Sequence, residues 1–213
     1  MSKTMGSMLL FAIILVLFQC SEQKDEWIDV APGPNLEGWT VINIPPDQPL
    51  SDVKQWSVDS NKVVRCSGKG GHEYFRYDGG KFSNFVFYVE WRFEPLDEPA
   101  NYNSGVYVLN NADGTIWHQA QTGDASGGYL FGKTPVNGEI VRLNLRDQME
   151  SSSVKSAGEW NTFDITCSDG KIALVVNGVP TVTWADLEVE SGYIGLEAEG
   201  YAIEFRNLKV KKL

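Results

Sequence analysis

The sequence predicts an all-β protein, an antiparallel β-sandwich or jelly roll, on three observations. Aromatic residues are abundant (7 Trp, 8 Tyr, 10 Phe) beside 21 Gly and 9 Pro, as in aromatic-rich strands joined by tight turns. Residues 84–94 alternate cleanly, with Phe85, Phe87, Val89, Trp91 and Phe93 on one face and Val86, Tyr88, Glu90, Arg92 and Glu94 on the other. That period of two belongs to a strand with one buried side. No segment sustains a helical period for more than about two turns. A chain of 213 residues is long enough to close one core, and no internal repeat divides it.

The chain opens with an expected export signal, residues 1–19. Lys3 supplies the positive region, and Leu9 to Phe18 forms an unbroken apolar run. That run is shorter than the roughly 20 residues of a membrane span but suits a signal-peptide core. Cys20 follows Gln19 directly, as the lipidated first residue of a bacterial lipoprotein would. Residues 20–26 then form a polar tether and residues 27–213 a single sandwich domain. A lipid-anchored protein of the outer membrane, periplasm or cell surface is the expectation. A cleaved soluble form or an uncleaved anchor is the alternative. Contact with the membrane is expected only through that anchor.

The remaining strands follow in order. Thr115–Gln121 is introduced by Asp113-Gly114. Phe163, Ile165 and Cys167 alternate with polar partners before Ser168-Asp169-Gly170 turns the chain into Lys171–Asn177. Asn177-Gly178, with two positions suited to positive φ, then makes a hairpin into Val179–Trp184. Tyr193–Glu199 and Ala202–Val210 read as a last pair joined through Gly200. Ala185–Glu190 is read as a single helical turn and Asp147–Ser156 as a polar loop. The first and last strands are expected to lie near each other. Cys66 and Cys167 sit in apolar runs, either as separate buried thiols or as a disulfide.

Charge narrows the function. A formal charge of −10 and a pI near 4.7 exclude nucleic acid as a partner, which needs clustered Lys and Arg. With His72 and His118 the only histidines and no CxxC, no metal site of the usual zinc type is expected, and no cofactor. His72 reads as a packing or capping residue near a turn. Gly68-Lys69-Gly70-Gly71 lacks the helix a phosphate loop needs, and Ser104-Gly105 has no His–Asp partner. Asp25, Asp29, Asp97 and Glu98 lack a calcium-loop signature.

The outward strand faces are more informative. Tyr88, Glu90 and Arg92 share one, Trp117, Gln119 and Gln121 another, and Tyr193, Glu197 and Glu199 a third. Sugars need an apolar ring face to stack on and planar polar groups for vicinal hydroxyls, and these faces supply both. Simple solvation of polar residues on an outward face is the competing explanation.

Several blocks resemble, in order, the 3-keto-disaccharide hydrolase family, sandwich domains of the concanavalin A-like lectin/glucanase type. Leu36-Glu37-Gly38-Trp39 is similar to its Leu-x-Gly-Trp, Asn84–Phe93 to its Glu-x-Arg/Lys-Phe strand, and Asn103-Ser104-Gly105-Val106 to its Asn-Ser-Gly-Ile/Val. Gly158-Glu159-Trp160-Asn161 and Val176-Asn177-Gly178-Val179 match its Gly-Glu-Trp-Asn and Leu-Asn-Gly-Val. Gly195-Leu196-Glu197 and Glu204-Phe205-Arg206-Asn207-Leu208 close the chain as its Gly-Leu-Gln and Glu-Phe-Arg-Asn-Ile do. Two positions depart. Gln119-Ala120-Gln121 stands where members have Glu-x-Gln, and Glu199 where they commonly carry His.

The resemblance implies cleavage of a 3-keto-glycoside. The C3 ketone acidifies the C2 hydrogen, a base removes it, the enolate expels the C1 oxygen, and water adds back. Such a site needs a base, a cation or hydrogen-bond donors for the enolate, and an acid for the leaving oxygen. The expected catalytic residues are Glu197, Glu199 and Arg92, with Glu90 as a further carboxylate or the partner of Arg92. Gln119, Gln121 and Asn103 would hold hydroxyls, and Trp117, with Tyr88 and Tyr193, would face the sugar. Gly105, Trp160, Asn177 and Gly178 read as structural. A non-catalytic carbohydrate-binding lipoprotein and a purely structural sandwich are the alternatives.

Overall fold

In the computed structural model, residues 26–123 and 126–213 are described. The expected export signal and Cys20 lie outside them. The strands, in chain order, are β1 (Ile28–Asp29), β2 (Trp39–Asn43), β3 (Trp56–Val58), β4 (Val64–Cys66), β5 (Glu73–Tyr77), β6 (Phe85–Phe93), β7 (Ser104–Asn110) and β8 (Trp117–Thr122). They continue as β9 (Leu130–Val136), β10 (Glu139–Asn144), β11 (Asn161–Ser168), β12 (Lys171–Val176), β13 (Val179–Trp184), β14 (Tyr193–Ala198) and β15 (Ile203–Lys212). Every pairing among them is antiparallel, in two sheets. One runs β13-β12-β11-β6-β15-β4-β3 with β1 on β15, the other β10-β9-β8-β7-β14-β5-β2. The expected sandwich is the observed fold.

Alternation builds the core as the sequence suggests. Phe85, Phe87, Val89, Trp91 and Phe93 of β6 are buried, facing Val106 and Val108 of β7 and Ile194, Leu196 and Ala198 of β14 across the sandwich. Each such side chain contributes ~1.5–3 kcal/mol on leaving water. The termini meet, Ile28 pairing with Val210. At Asn177-Gly178 both residues have positive φ (50° and 81°), the hairpin geometry that pair of residues favours. Cys66 and Cys167 are separate buried thiols, and burial pushes the Cys66 thiol up to about 12.

Two expectations are corrected, and one hairpin is new. β14 and β15 do not pair: the chain changes sheet at Gly200, so β14 lies between β7 and β5 while β15 lies between β6 and β4. Residues 185–190 contain no helical turn; Leu187 is tied instead by its N–H to the Gly170 carbonyl. A further hairpin, β9–β10, turns at Asn137-Gly138, where φ is again positive at both residues (51° and 81°).

Candidate functional site

The outward face of the seven-stranded sheet carries a cleft of about 420 Å³, within the usual size for a small-molecule site. Glu197 lies at its floor. Because Ile194, Leu196 and Ala198 of β14 point into the core, Tyr193, Glu197 and Glu199 take the opposite side. Glu197 is only 3% exposed, and three donors hold its carboxylate. Tyr107 Oη donates to Oε1 at 2.5 Å, Gln119 Nε2 to Oε2 at 2.6 Å, and His72 Nε2 lies 2.8 Å from Oε1. The Glu197 carbonyl accepts from Ser104 Oγ at 2.7 Å.

Each partner arrives through register. Tyr107 stands opposite Gly195, and Gln119 opposite Tyr107, so the two reach Glu197 diagonally from successive strands. Gly105 makes room for this: a Cβ there would fall 2.1 Å from Gln119 Nε2 and 2.4 Å from its Cδ. His72 precedes β5, one residue before Glu73, which pairs with Ala198; this brings the ring level with Glu199. Gln119 also donates to Gln121 Oε1 at 3.0 Å, and Gln121 Nε2 to Asn103 Oδ1 at 2.5 Å, extending the polar row along the cleft. Trp117 packs edge-on against Phe131 (4.9 Å) and Tyr107 (6.2 Å) at the wall.

The electrostatics follow from this crowding. Burial pulls the His72 imidazole down, but the hydrogen bond and charge of Glu197, with the charge of Glu199, outweigh it and hold the ring above the ordinary histidine value. Glu199 is raised above the ordinary carboxylate range, first by burial and then by the neighbouring Glu197 charge, with His72 and Arg142 opposing. Burial, then Glu197, keeps Tyr107 protonated far beyond neutral pH. Glu199 makes no hydrogen bond to another described residue. His72, Glu197 and Glu199 could also hold a divalent cation, since one donor atom of each lies within 4.8 Å of the others. Sequence spacing did not suggest that grouping, because His72 and Glu197 are 125 positions apart.

Glu197, Glu199, Gln119, Gln121, Asn103 and Trp117 therefore line one cleft. Glu90, Arg92 and Tyr88 do not: β6 belongs to the other sheet, and their outward face is the opposite surface of the sandwich. There Arg92 Nε donates to Glu204 at 2.7 Å, Glu90 accepts from Arg206 and Asn207 at 2.7 Å, and Tyr88 donates to Glu90 at 3.0 Å. The expected pairing of Glu90 with Arg92 is replaced by these partners, and Arg92 lies too far off to steady an enolate formed beside Glu197. Tyr193 shares the face of Glu197 but stands at the other end of β14, under Arg76 (4.9 Å) and Lys81 (5.7 Å). His72, read as a packing residue, is a member of the cleft, and Tyr107, Tyr129, Phe131, Lys133 and Arg142 join it unannounced. Alternation around Val106 and Val108 would have placed Tyr107 outward.

One further relation needs the geometry. Glu197 stands where the resembled motif has Gln, and Gln119 where it has Glu. The two are bonded at 2.6 Å. Carboxylate and amide have exchanged places across one hydrogen bond, so the acidic group remains at this point of the cleft.

Comparison with known proteins agrees with the architecture. A glycosyl hydrolase, so proposed, from Parabacteroides distasonis ATCC 8503 superposes with a TM-score of 0.60 at 18% identity, over 88% of this chain and 100% of that one. A second such protein from the same organism gives 0.61 at 18%, over 88% and 94%. The carbohydrate-binding module CBM66 from Bacillus subtilis gives 0.61 at 11%, over 85% and 99%. At these identities the likeness is one of fold. No curated protein matches the sequence. The 3-keto-alpha-glucoside-1,2-lyase-like domain matches residues 26–211, nearly the whole described chain, and the protein belongs to that carbohydrate-active family.

Proposed function

We propose that this protein cleaves the glycosidic bond of 3-keto-glycosides by elimination, in the cell envelope to which its N-terminal segment directs it. The observation that carries the reading is the His72–Glu197–Glu199 group in a sugar-sized cleft. Its one carboxyl without a hydrogen-bonding partner among the described residues, that of Glu199, has a raised pKa. Glu199 takes the C2 proton, for which a carboxylate made more basic by burial is suited. His72, its Nε2 fixed by Glu197 and its proton affinity raised, places positive charge beside the developing C3 oxyanion. As the C1–O bond breaks, the proton on Glu199 passes to the departing oxygen. This leaves a free alcohol and a C1=C2 enone, which water then hydrates to the 3-keto-sugar. Glu197 does not move a proton. With Tyr107, Gln119 and His72 all bonded to its carboxylate, it is the positioning group. Asn103 and Gln121 hold hydroxyls and Trp117 offers a ring face.

The test is release of free monosaccharide by purified residues 21–213, the 3-keto-sugar from a 3-keto-disaccharide and the ordinary reducing sugar from its unoxidised parent. Release from the keto substrate alone supports the mechanism. Release from neither, with binding of one, would make the domain a receptor. Release from both would rule out the ketone-dependent step.

A further inference from the structure

The arginines divide into two populations. Arg65, Arg76, Arg92 and Arg206 each lie within 2.9 Å of a carboxylate oxygen. Arg142 and Arg146, the only others in the sequence, form no ion pair among the described residues. Both are held by aromatic rings. The Arg142 guanidinium lies 4.6 Å from the centre of Phe131 and 5.8 Å from that of Trp117, and Arg146 lies 5.8 Å from that of Tyr129. A ring face fixes a guanidinium without neutralising it. Phe131, Trp117 and Tyr129 all line the cleft, and so do Arg142 itself and Lys133, its partner across β9–β10. In a chain of formal charge −10, Arg142 and Lys133 thus give the cleft a cationic wall that no ion pair among the described residues neutralises, although the Arg142 charge reaches Glu199.

That wall stands across the cleft from the reacting end, β10 and β14 lying four places apart in the sheet, about 19 Å between backbones at the usual strand spacing. A planar guanidinium fixed at its far side is suited to bidentate recognition of a carboxylate or sulfate.

We propose that the substrate is an acidic sugar, whose carboxylate or sulfate group seats against Arg142 with Lys133 and Arg146 flanking it. This rests on reading the cleft as a sugar site but not on the ketone. The experiment is calorimetric titration with three unoxidised disaccharides: one ending in glucuronic acid, one carrying a 6-O-sulfate, and a neutral glucose disaccharide. At least one acidic ligand is expected to bind about tenfold or more tightly than the neutral one, the range of a charge-assisted contact. The preference should weaken as salt rises and vanish in Arg142→Gln. It should persist in Arg92→Gln, which removes the same charge from the opposite surface. Which acidic ligand wins separates carboxylate from sulfate. No difference among the three ligands, or a preference that survives Arg142→Gln, overturns the proposal. An acidic preference in a protein that releases nothing from keto substrates would leave it standing and remove the elimination reading instead.

Discussion

The two outward faces of this sandwich are built from the same residue types and do opposite things with them. On the eight-stranded sheet, Asp59, Arg65, Glu204 and Arg92 run as a chain of ion pairs, and Glu90 joins Arg206 nearby. Trp160 lies between Arg92 and Arg206, at 4.6 and 3.9 Å from its ring centre. Each charge in this network has a partner, and the side chains are partly exposed. On the seven-stranded sheet one carboxylate is buried beneath three donors, a second has none among the described residues, and Arg142 lies on rings, as Arg146 does just beyond the sheet. A satisfied, solvated network adds a little stability and has no free valence for a ligand. A crowded, partly desolvated one shifts proton affinities and leaves groups to be completed by substrate. Polar residues on an outward strand face thus mean different things according to whether their neighbours neutralise them.

This contrast can be broken in order of effect. Glu199→Gln removes the proposed base and should lower kcat about 10²–10⁴-fold while leaving sugar binding close to normal. Unchanged turnover on a keto-disaccharide would take Glu199 out of the site. Exchange of the bonded pair is the next test. Glu197→Gln and Gln119→Glu should each cost about 100-fold in kcat/KM, the first by losing the charge that holds His72, the second by setting two carboxylates against each other. The double variant restores one carboxylate and one amide and should recover most of the loss. Additive losses in the double variant would show that the position of the charge matters more than its presence.

The pH profile sharpens the assignment. Glu199 must be ionised and His72 protonated, so kcat/KM should be bell-shaped, with its acid limb above the ordinary carboxylate range and its alkaline limb above the ordinary histidine value. In Glu197→Gln, His72 loses the interactions that raise it and Glu199 loses its like-charged neighbour, so both limbs should move to lower pH. The same shifts bear on folding. Both groups bind protons more tightly folded than unfolded, so their stabilising contribution is present at low pH and lost as pH rises through the folded values.

Smaller effects mark the edges. Gly105→Ala forces the buried Gln119 aside and should act mainly on kcat/KM, about 10- to 100-fold through misplacement, with a smaller loss of stability from uncovering the buried Glu197 carboxylate. Arg92→Gln should do the reverse, costing about 1 kcal/mol of stability at a partly exposed pair and ring contact while leaving kcat/KM unchanged. A large loss of activity there would erase the distinction between the two faces.

Much of the cleft was readable from the chain. Alternation alone placed Trp117, Gln119 and Gln121 together, and Glu197 with Glu199, because the β pleat puts successive side chains on opposite sides whatever the strand pairs with. The same reasoning places Glu90 and Arg92 on an outward face, to which the resemblance then gives catalytic roles, since a sandwich has two outward faces and alternation does not say which one a strand presents. His72 was misread for another reason. It lies in a loop after Gly71, where there is no period to follow, and only the pairing of Glu73 with Ala198 carries it to Glu199. The β9–β10 hairpin was missed although Asn137-Gly138 is the same signal as Asn177-Gly178, and the cationic wall was missed with it.

The amino-acid chain alone specifies an all-β protein, which side of each alternating strand is buried, where Asn177-Gly178 reverses it, and, by its ordered motifs, the family. These are local properties, set by side-chain period and backbone sterics within a few residues. It takes the folded molecule to part β14 from β15 at Gly200, to gather Tyr107, Gln119 and His72 around Glu197, and to give Arg92 an ion pair while Arg142 has none among the described residues. Those outcomes depend on strand order and register between distant segments, 125 residues apart for His72 and Glu197, and local sequence carries no such information.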